Sequence, residues 1–180
     1  MPEHATTVLD IGGGDGRLAI ALARQYPNLS TVVTADVSQD MVKRAQQRAR
    51  TSGLADRVHA EVADVHLLKY RDARFDAVVS FASMHHWRNP VEAFRGLDRV
   101  LKPGGILAVL DGCGRPSFGC VRAFVAGFGG SLWASIVYWV GSKDVFTYED
   151  VADIVSRTGR KYISIRCEGP VVRIGGVKDV

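Results

Sequence analysis

Residues 10–16 read DIGGGDG, with four glycines in the last five positions. Glycine loses the most backbone freedom on folding, so a cluster this dense needs a reason. A short apolar run precedes it and a helical pattern follows. A strand, a glycine turn and a helix in that order aim main-chain N–H groups at a ligand. The phosphate-cradling loop requires GxxxxGK followed by Ser or Thr, and no such run is present. The dinucleotide fingerprint requires GxGxxG. Counted from Gly12 its third glycine falls on Arg17, and counted from Gly13 its second falls on Asp15. What fits is an acid followed by alternate glycines: Asp10, Gly12, Gly14 and Gly16.

Three further groups have the chemistry for a site. Asp36 and Asp64 each stand at or just past the end of an apolar, β-branched run. At Asp36 a carboxylate can accept two hydroxyl hydrogen bonds, which charge strengthens; an acid capping the next helix is the plainer alternative there. His85 and His86 are adjacent, with side chains that titrate near neutrality and suit a general base. Neighbours on an extended chain point oppositely, so one of the two is expected to face a pocket. The alternative is that both are structural or only line the pocket. Two adjacent histidines make a poor metal site alone, and no carboxylate or cysteine stands at ligand spacing, so no metal is expected.

The elements that position these residues alternate. TTVLDI (6–11), TVVTADV (31–37), VHAEVAD (58–64), FDAVVSF (75–81) and GILAVLDG (105–112) read as strands. Residues 16–26, a segment from Ser38 as N-cap to Gly53, and 89–101 read as helices. The last stops at LysProGlyGly (102–105), a turn sequence. Beyond a long apolar connection (115–143), residues 146–159 read as a helix and 161–177 as two strands forming an antiparallel hairpin. The expected fold is α/β: a doubly wound, Rossmann-like, seven-stranded sheet, mostly parallel, in one domain over 1–180. In such sheets ligands sit beyond the C-terminal strand ends, where Asp10–Gly16, Asp36–Ser38, Asp64–Val65, Phe81–His86 and Asp111–Gly114 gather.

Bulk properties narrow the function. The 180 residues carry a net charge of +4 with no block of like charges. The densest basic stretch (Lys43, Arg44, Arg48, Arg50, Arg57) reads as a solvated helix face, which makes a nucleic-acid partner unexpected. The three cysteines, Cys113, Cys120 and Cys167, form no CxxC pair, as in a reducing compartment. The first residues have no basic start followed by an apolar core, and a cytoplasmic location is expected.

The acid-x-Gly-x-Gly-x-Gly run resembles motif I of the class I S-adenosylmethionine-dependent methyltransferases. The stretch FDAVVSFASMHHWRNPVEAFRGLDRVLKPGG (75–105) resembles the branch that includes the ubiquinone and menaquinone biosynthesis C-methyltransferases. Together the matches cover about 6–112, and more loosely 146–177. The resemblance implies S-adenosyl-L-methionine as cofactor. It implies Asp36 on the ribose hydroxyls, Asp64 on the adenine amino group, the Val65 N–H at the ring, and Met41 and Val65 as adenine walls, Met41 being equally explicable as core. The full set of implied cofactor contacts is Asp10, Gly12, Gly14, Gly16, Asp36, Val37, Met41, Asp64, Val65 and Phe81. His85 or His86 would serve as base. SerPheAlaSerMet stands where DNA amino-methylating enzymes carry Asn/Asp-Pro-Pro-aromatic, and this argues against that activity. The expected acceptor is a small molecule, apolar or aromatic. The basic calculated pI of about 9.1 keeps an RNA methyltransferase as the alternative, and a non-catalytic S-adenosylmethionine-binding protein is the other.

Two departures from that pattern matter. The first strand begins about six residues in, whereas relatives carry a longer N-terminal cover over the cofactor. And residues 123–142 hold no formal charge over a length that spans a bilayer. Four glycines and the return of the chain to the same sheet argue against a membrane span. A lid over 115–143, lined by Phe124, Phe128, Trp133, Tyr138 and Trp139, is the preferred expectation. Buried core, or a homodimer contact through the same segment, is the alternative.

Overall fold

The computed structural model describes residues 5–112, 146–168 and 171–180. The expected lid, its aromatic residues and the proposed dimer contact lie outside the described residues.

The strand signals fold as read. β1 (Thr7–Ile11), β2 (Thr31–Asp36), β3 (Val58–Val62), β4 (Phe75–Phe81) and β5 (Leu101–Gly112) pair in parallel, and β6 (Ser164–Glu168) and β7 (Val171–Val177) form the antiparallel hairpin. The seven strands run in the order β3-β2-β1-β4-β5-β7-β6, with β7 antiparallel to both neighbours. The order reverses between β1 and β4, which places the crevice for a ligand over the glycine loop.

Helices cover both faces. α1 (Arg17–Gln25) and α2 (Gln39–Thr51) pack one side, where Ala19, Ile20, Ala23 and Ala49 meet Val8, Val32 and Ala77. α3 (Pro90–Val100) and α4 (Tyr148–Thr158) pack the other, where Phe94, Leu97, Val151 and Ile154 meet Leu9, Val78, Leu107 and Ile174. Caps set the helix starts. The Ser38 hydroxyl accepts from the Met41 N–H, Asn89 accepts from Glu92 ahead of Pro90, and Thr147 and Asp150 bond reciprocally. Gly159, with φ 72°, ends α4.

Two boundaries differ from the sequence reading. β3 ends at Val62, and Asp64 lies beyond it as the cap of a single 3₁₀ turn (Val65–Leu67). LysProGlyGly does not form a free turn; β5 runs through it as a bulge. Phe75 pairs with Leu101, and the next pair is Ala77 with Ile106. Asp76 sits where the register slips. Lys102 Nζ donates to its Oδ1 at 2.7 Å, while the Thr6 and Thr7 N–H groups donate to its Oδ2 at 3.0 and 2.9 Å. The Gly104 N–H donates to the Lys178 carbonyl, and the Lys178 N–H donates to the Gly105 carbonyl. A tertiary ion pair and the Lys178 main chain thus tie the segment into the sheet as a bulge, with Gly104 in the left-handed region at φ 72°. Among the described residues no helix is long and apolar enough to cross a membrane.

Candidate cofactor and active site

The loop after β1 is built by contacts from three strands. The Gly12 and Gly13 N–H groups both donate to the Ala35 carbonyl, at 2.8 and 3.1 Å. The Gly14 N–H donates to Asp36 Oδ2 at 2.9 Å, and the Ser38 N–H donates to Asp36 Oδ1 at 2.9 Å. Asp36 therefore ties the loop to the start of α2. Each carboxylate oxygen keeps a second lone pair for a ligand. Two glycines are required by close approach. A Cβ on Gly13 would lie 2.0 Å from Thr34 Oγ1 and 2.5 Å from Asp10 Oδ2. A Cβ on Gly12, whose φ is 68°, would lie 1.9 Å from Ser83 Oγ.

That Ser83 reaches Gly12 follows from the turn after β4. Ala82 adopts φ 51° while its N–H donates to the Leu110 carbonyl. Met84 and Trp87 then enter the α3-side core, with Trp87 edge-on to Phe94 at 5.7 Å, and the indole N–H donates to Ser83 Oγ at 3.2 Å. The His-His segment is thus held at both ends.

A cleft of about 590 Å³ opens over the loop, within the range of small-molecule sites. Of the residues singled out by sequence, Gly12, Gly14, Asp36, Val37, Met41, Asp64, Val65 and His86 line it. Ile11, Ala63, Trp87 and Ala82 complete the walls, and His66, Ser83 and Arg88 add polar groups. These seven were not singled out from sequence as site residues. Asp10, Gly16, Phe81 and His85 are not among the lining residues. Gly16 is the N-cap of α1, and Phe81 is exposed at the tip of β4.

Asp10 is fully buried beneath Gly13. Thr34 donates to its Oδ2 at 3.1 Å, and its Oδ1 has no partner. Burial pushes this carboxyl up to about 7, opposed by the Thr34 hydrogen bond and helped by the charge of Asp36. Asp10 supports the loop from below and is shut off from the cleft.

Asp64 is held in the opposite state. Its Oδ1 accepts from the His66 N–H at 2.9 Å and from His66 Nδ1 at 2.8 Å, and its Oδ2 accepts from Arg88 at 3.1 Å. The His66 main-chain bond, then the ring bond, outweigh partial desolvation and keep it below the usual carboxylate range. His66 Nε2 in turn accepts the Asn89 N–H at 3.1 Å, which fixes the neutral ring with its proton on Nδ1.

The two histidines separate. His86 is exposed and lines the cleft. His85 turns toward β5, where Asp111 Oδ2 accepts its main-chain N–H at 3.1 Å and Asp111 Oδ1 accepts from its Nδ1 at 2.9 Å. The ring centroids lie 4.0 Å apart, with the planes tilted by 49°. Asp111 lies 26 residues downstream, and only the β4–β5 pairing brings it to His85.

A floor of glycine main chain, apolar walls and carboxylates from β2 and the β3 end form a slot suited to a nucleoside. A Cβ built on Gly14 meets nothing within 4 Å, so the loop faces open space on its outer side. The strand order, the loop and these carboxylates together define the class I S-adenosylmethionine-dependent methyltransferase fold. Comparison with known proteins agrees: a family model described as "methyltransferase domain" matches residues 9–109, and the chain belongs to that family. It is 41% identical over 104 residues to the methyltransferase GfsG of Streptomyces halstedii, covering 58% of this chain and 37% of that protein. It is 33% identical over 109 residues to the ubiquinone/menaquinone biosynthesis C-methyltransferase UbiE of Enterobacter sp. (strain 638), covering 61% of this chain and 43% of that protein. The chain thus spans less than half the length of these relatives. A crystal structure from Methanococcus maripaludis, of a protein classed with the S-adenosylmethionine-dependent methyltransferases, superposes with a TM-score of 0.76 at 26% identity over 98% of this chain and 78% of that one.

Proposed function

We propose that this chain binds S-adenosyl-L-methionine in the glycine-loop cleft and transfers its methyl group, by in-line displacement, to a small apolar or aromatic acceptor. The observation that carries the reading is the convergence of Gly12, Gly14, Asp36, Val37, Met41, Asp64 and Val65 on one cleft from three separate strand ends. Asp36 would take the ribose hydroxyls with its remaining lone pairs. Asp64 would take the adenine amino group, and Val37, Met41 and Val65 would wall the ring. Asp10 and Gly16 act beneath the loop, as support for it, and Phe81 stands at the rim of β4. When bound, the cofactor supplies a methyl group already activated on a sulfonium. The protein's share is to orient the acceptor and exclude water. His85 or His86 takes a proton where the acceptor has one to lose. The relative named for ubiquinone and menaquinone biosynthesis supports an apolar acceptor. The cysteine pattern supports a cytoplasmic site of action.

Calorimetric titration with S-adenosylmethionine, S-adenosylhomocysteine and NAD tests this. The first two bind in the micromolar range, NAD does not, and Asp36→Ala weakens binding at least about tenfold, as loss of a charged hydrogen-bonding partner should. A folded protein that binds neither sulfur nucleoside, or prefers NAD, overturns the proposal. Binding without transfer to any acceptor favours the non-catalytic reading.

A further inference from the structure

We infer that His66 is a positioning residue for the proposed cofactor: its ring holds Asp64 as a fixed acceptor for a 6-aminopurine and ties that acid to the start of α3, so that one side chain sets both the purine seat and the 86–88 wall of the cleft. The inference rests on the proposed cofactor binding and adds to it a residue that governs which base is admitted.

The ring is committed at both nitrogens. A main-chain N–H only donates, so Nε2, which meets the Asn89 N–H at 3.1 Å, is an acceptor. The ring proton is therefore on Nδ1, which donates to Asp64 Oδ1 at 2.8 Å. The same oxygen accepts the His66 N–H at 2.9 Å. That main-chain bond alone caps the 3₁₀ turn that follows. The ring bond is additional, and the turn does not require it. The Nε2 bond also reaches far: Asn89 lies 23 residues downstream, as the N-cap of α3.

The two oxygens of Asp64 have different surroundings. Oδ1 is held by His66, whose side chain is 12% exposed. Oδ2 meets Arg88 at 3.1 Å, and the Arg88 side chain is 79% exposed. An exposed ion pair is worth little, so Arg88 yields and Oδ2 is the oxygen that a base reaches. The His66 N–H, then its ring, with smaller help from Arg88, hold the carboxyl below its usual range. Asp64 thus meets a base ionised, as an acceptor only. An amino group at position 6 of a purine donates to it. A carbonyl at that position sets oxygen against oxygen, and a carboxylate pinned through Oδ1 does not swing to find the N1–H instead. A loosened Asp64 would.

The other end of the ring acts on the wall. His86, Trp87 and Arg88 line the cleft immediately before Asn89. From the core side Trp87 is held by Phe94 and by its bond to Ser83. From the cleft side the segment is held at Asn89 by His66. Loss of the Nε2 acceptor therefore loosens the wall and leaves the bond to Asp64 in place.

Two substitutions separate the two bonds. His66→Asn puts an amide nitrogen where Nδ1 stands and nothing at Nε2. His66→Gln reaches Asn89 with its carbonyl oxygen and has no donor for Asp64. Calorimetry with S-adenosylhomocysteine and its 6-oxo analogue, S-inosylhomocysteine, reads the base. The wild type should prefer the amino form by about 100-fold or more. His66→Gln should narrow that preference by about tenfold, and the conservative His66→Asn should recover most of it. Hydrogen exchange in the cofactor-free protein reads the wall. The Asn89 amide should exchange about tenfold faster in His66→Asn than in the wild type, and stay slow in His66→Gln. An unchanged preference in folded His66→Gln overturns the proposal, as does an Asn89 amide that exchanges alike in all three proteins. Where neither variant folds, nitrogen NMR of the wild-type ring decides: a proton on Nδ1 supports the proposal, and one on Nε2 overturns it. A wild type that binds both compounds equally overturns this proposal and leaves cofactor binding standing. A wild type that binds neither overturns the proposed function and this proposal with it.

Discussion

Asp10 and Asp36 were both read from sequence as cofactor-facing acids, and burial gives them different work. Asp36 lines the cleft with its oxygens already holding Gly14 and Ser38. Asp10 is sealed under Gly13 with one oxygen unpartnered. Between pH 3.8 and about 7 the folded chain retains a proton on Asp10 that the unfolded chain has released, so stability falls as pH rises through that window. Each pKa unit corresponds to about 1.4 kcal/mol, which makes the effect on the order of a few kcal/mol. Asp10→Asn keeps the acceptor for Thr34 and has nothing to titrate. Urea denaturation at pH 5 and pH 8 should therefore show a smaller fall in stability for Asp10→Asn than for the wild type. Equal falls would mean that Asp10 titrates normally in the folded state. The glycine and acid spacing was legible because it is local. Ser83 against Gly12 and Asp111 on His85 were not, because each pair is made by the packing of elements distant in sequence.

At the scale of elements, the motif-like segments turn out to be joints. The Asp of PheAsp (75–76) and the Lys of LysProGlyGly (102–105) are partners across the start of the β4–β5 pair. Burial works to raise the Asp76 carboxyl, but Lys102, the Thr7 hydroxyl and the Thr6 and Thr7 N–H groups outweigh it and hold it well below the usual range. Its contribution to stability is thus present above about pH 3.8 and is lost as pH falls through the lower, folded value. Asp76→Asn should cost about 1–3 kcal/mol at neutral pH, and its deficit relative to wild type should shrink in acid. A deficit that stays constant from pH 7 to pH 3 would assign the cost to shape instead of charge. A turn was expected over 102–105 because Pro and Gly favour one locally. Gly104 keeps the left-handed backbone of a turn, and pairing of Lys102 with Asp76 and of the glycines with the Lys178 main chain builds it into β5 as a bulge, which no local pattern signals.

The whole sheet was legible in outline because alternating strand and helix signals leave few topologies open. The strand order itself is a tertiary property. β1 and β4 lie at its centre, with buried neighbours on both faces, whereas β3 is an edge strand with Val62 exposed. Hydrogen exchange should therefore be slowest in β1 and β4 and faster in β3, and protection of β3 equal to that of β1 would show that its edge is covered in solution. The insertion of β7 between β5 and β6 has a further consequence, in time. Every described residue that lines the nucleoside cleft lies within 11–88, so the strands and turns that carry it can gather while synthesis is still under way. β5, which carries Asp111, keeps an open edge until Val171–Val177 arrives to pair with it. On the ribosome, the described lining of the cleft emerges before the strand that pairs the β5 edge.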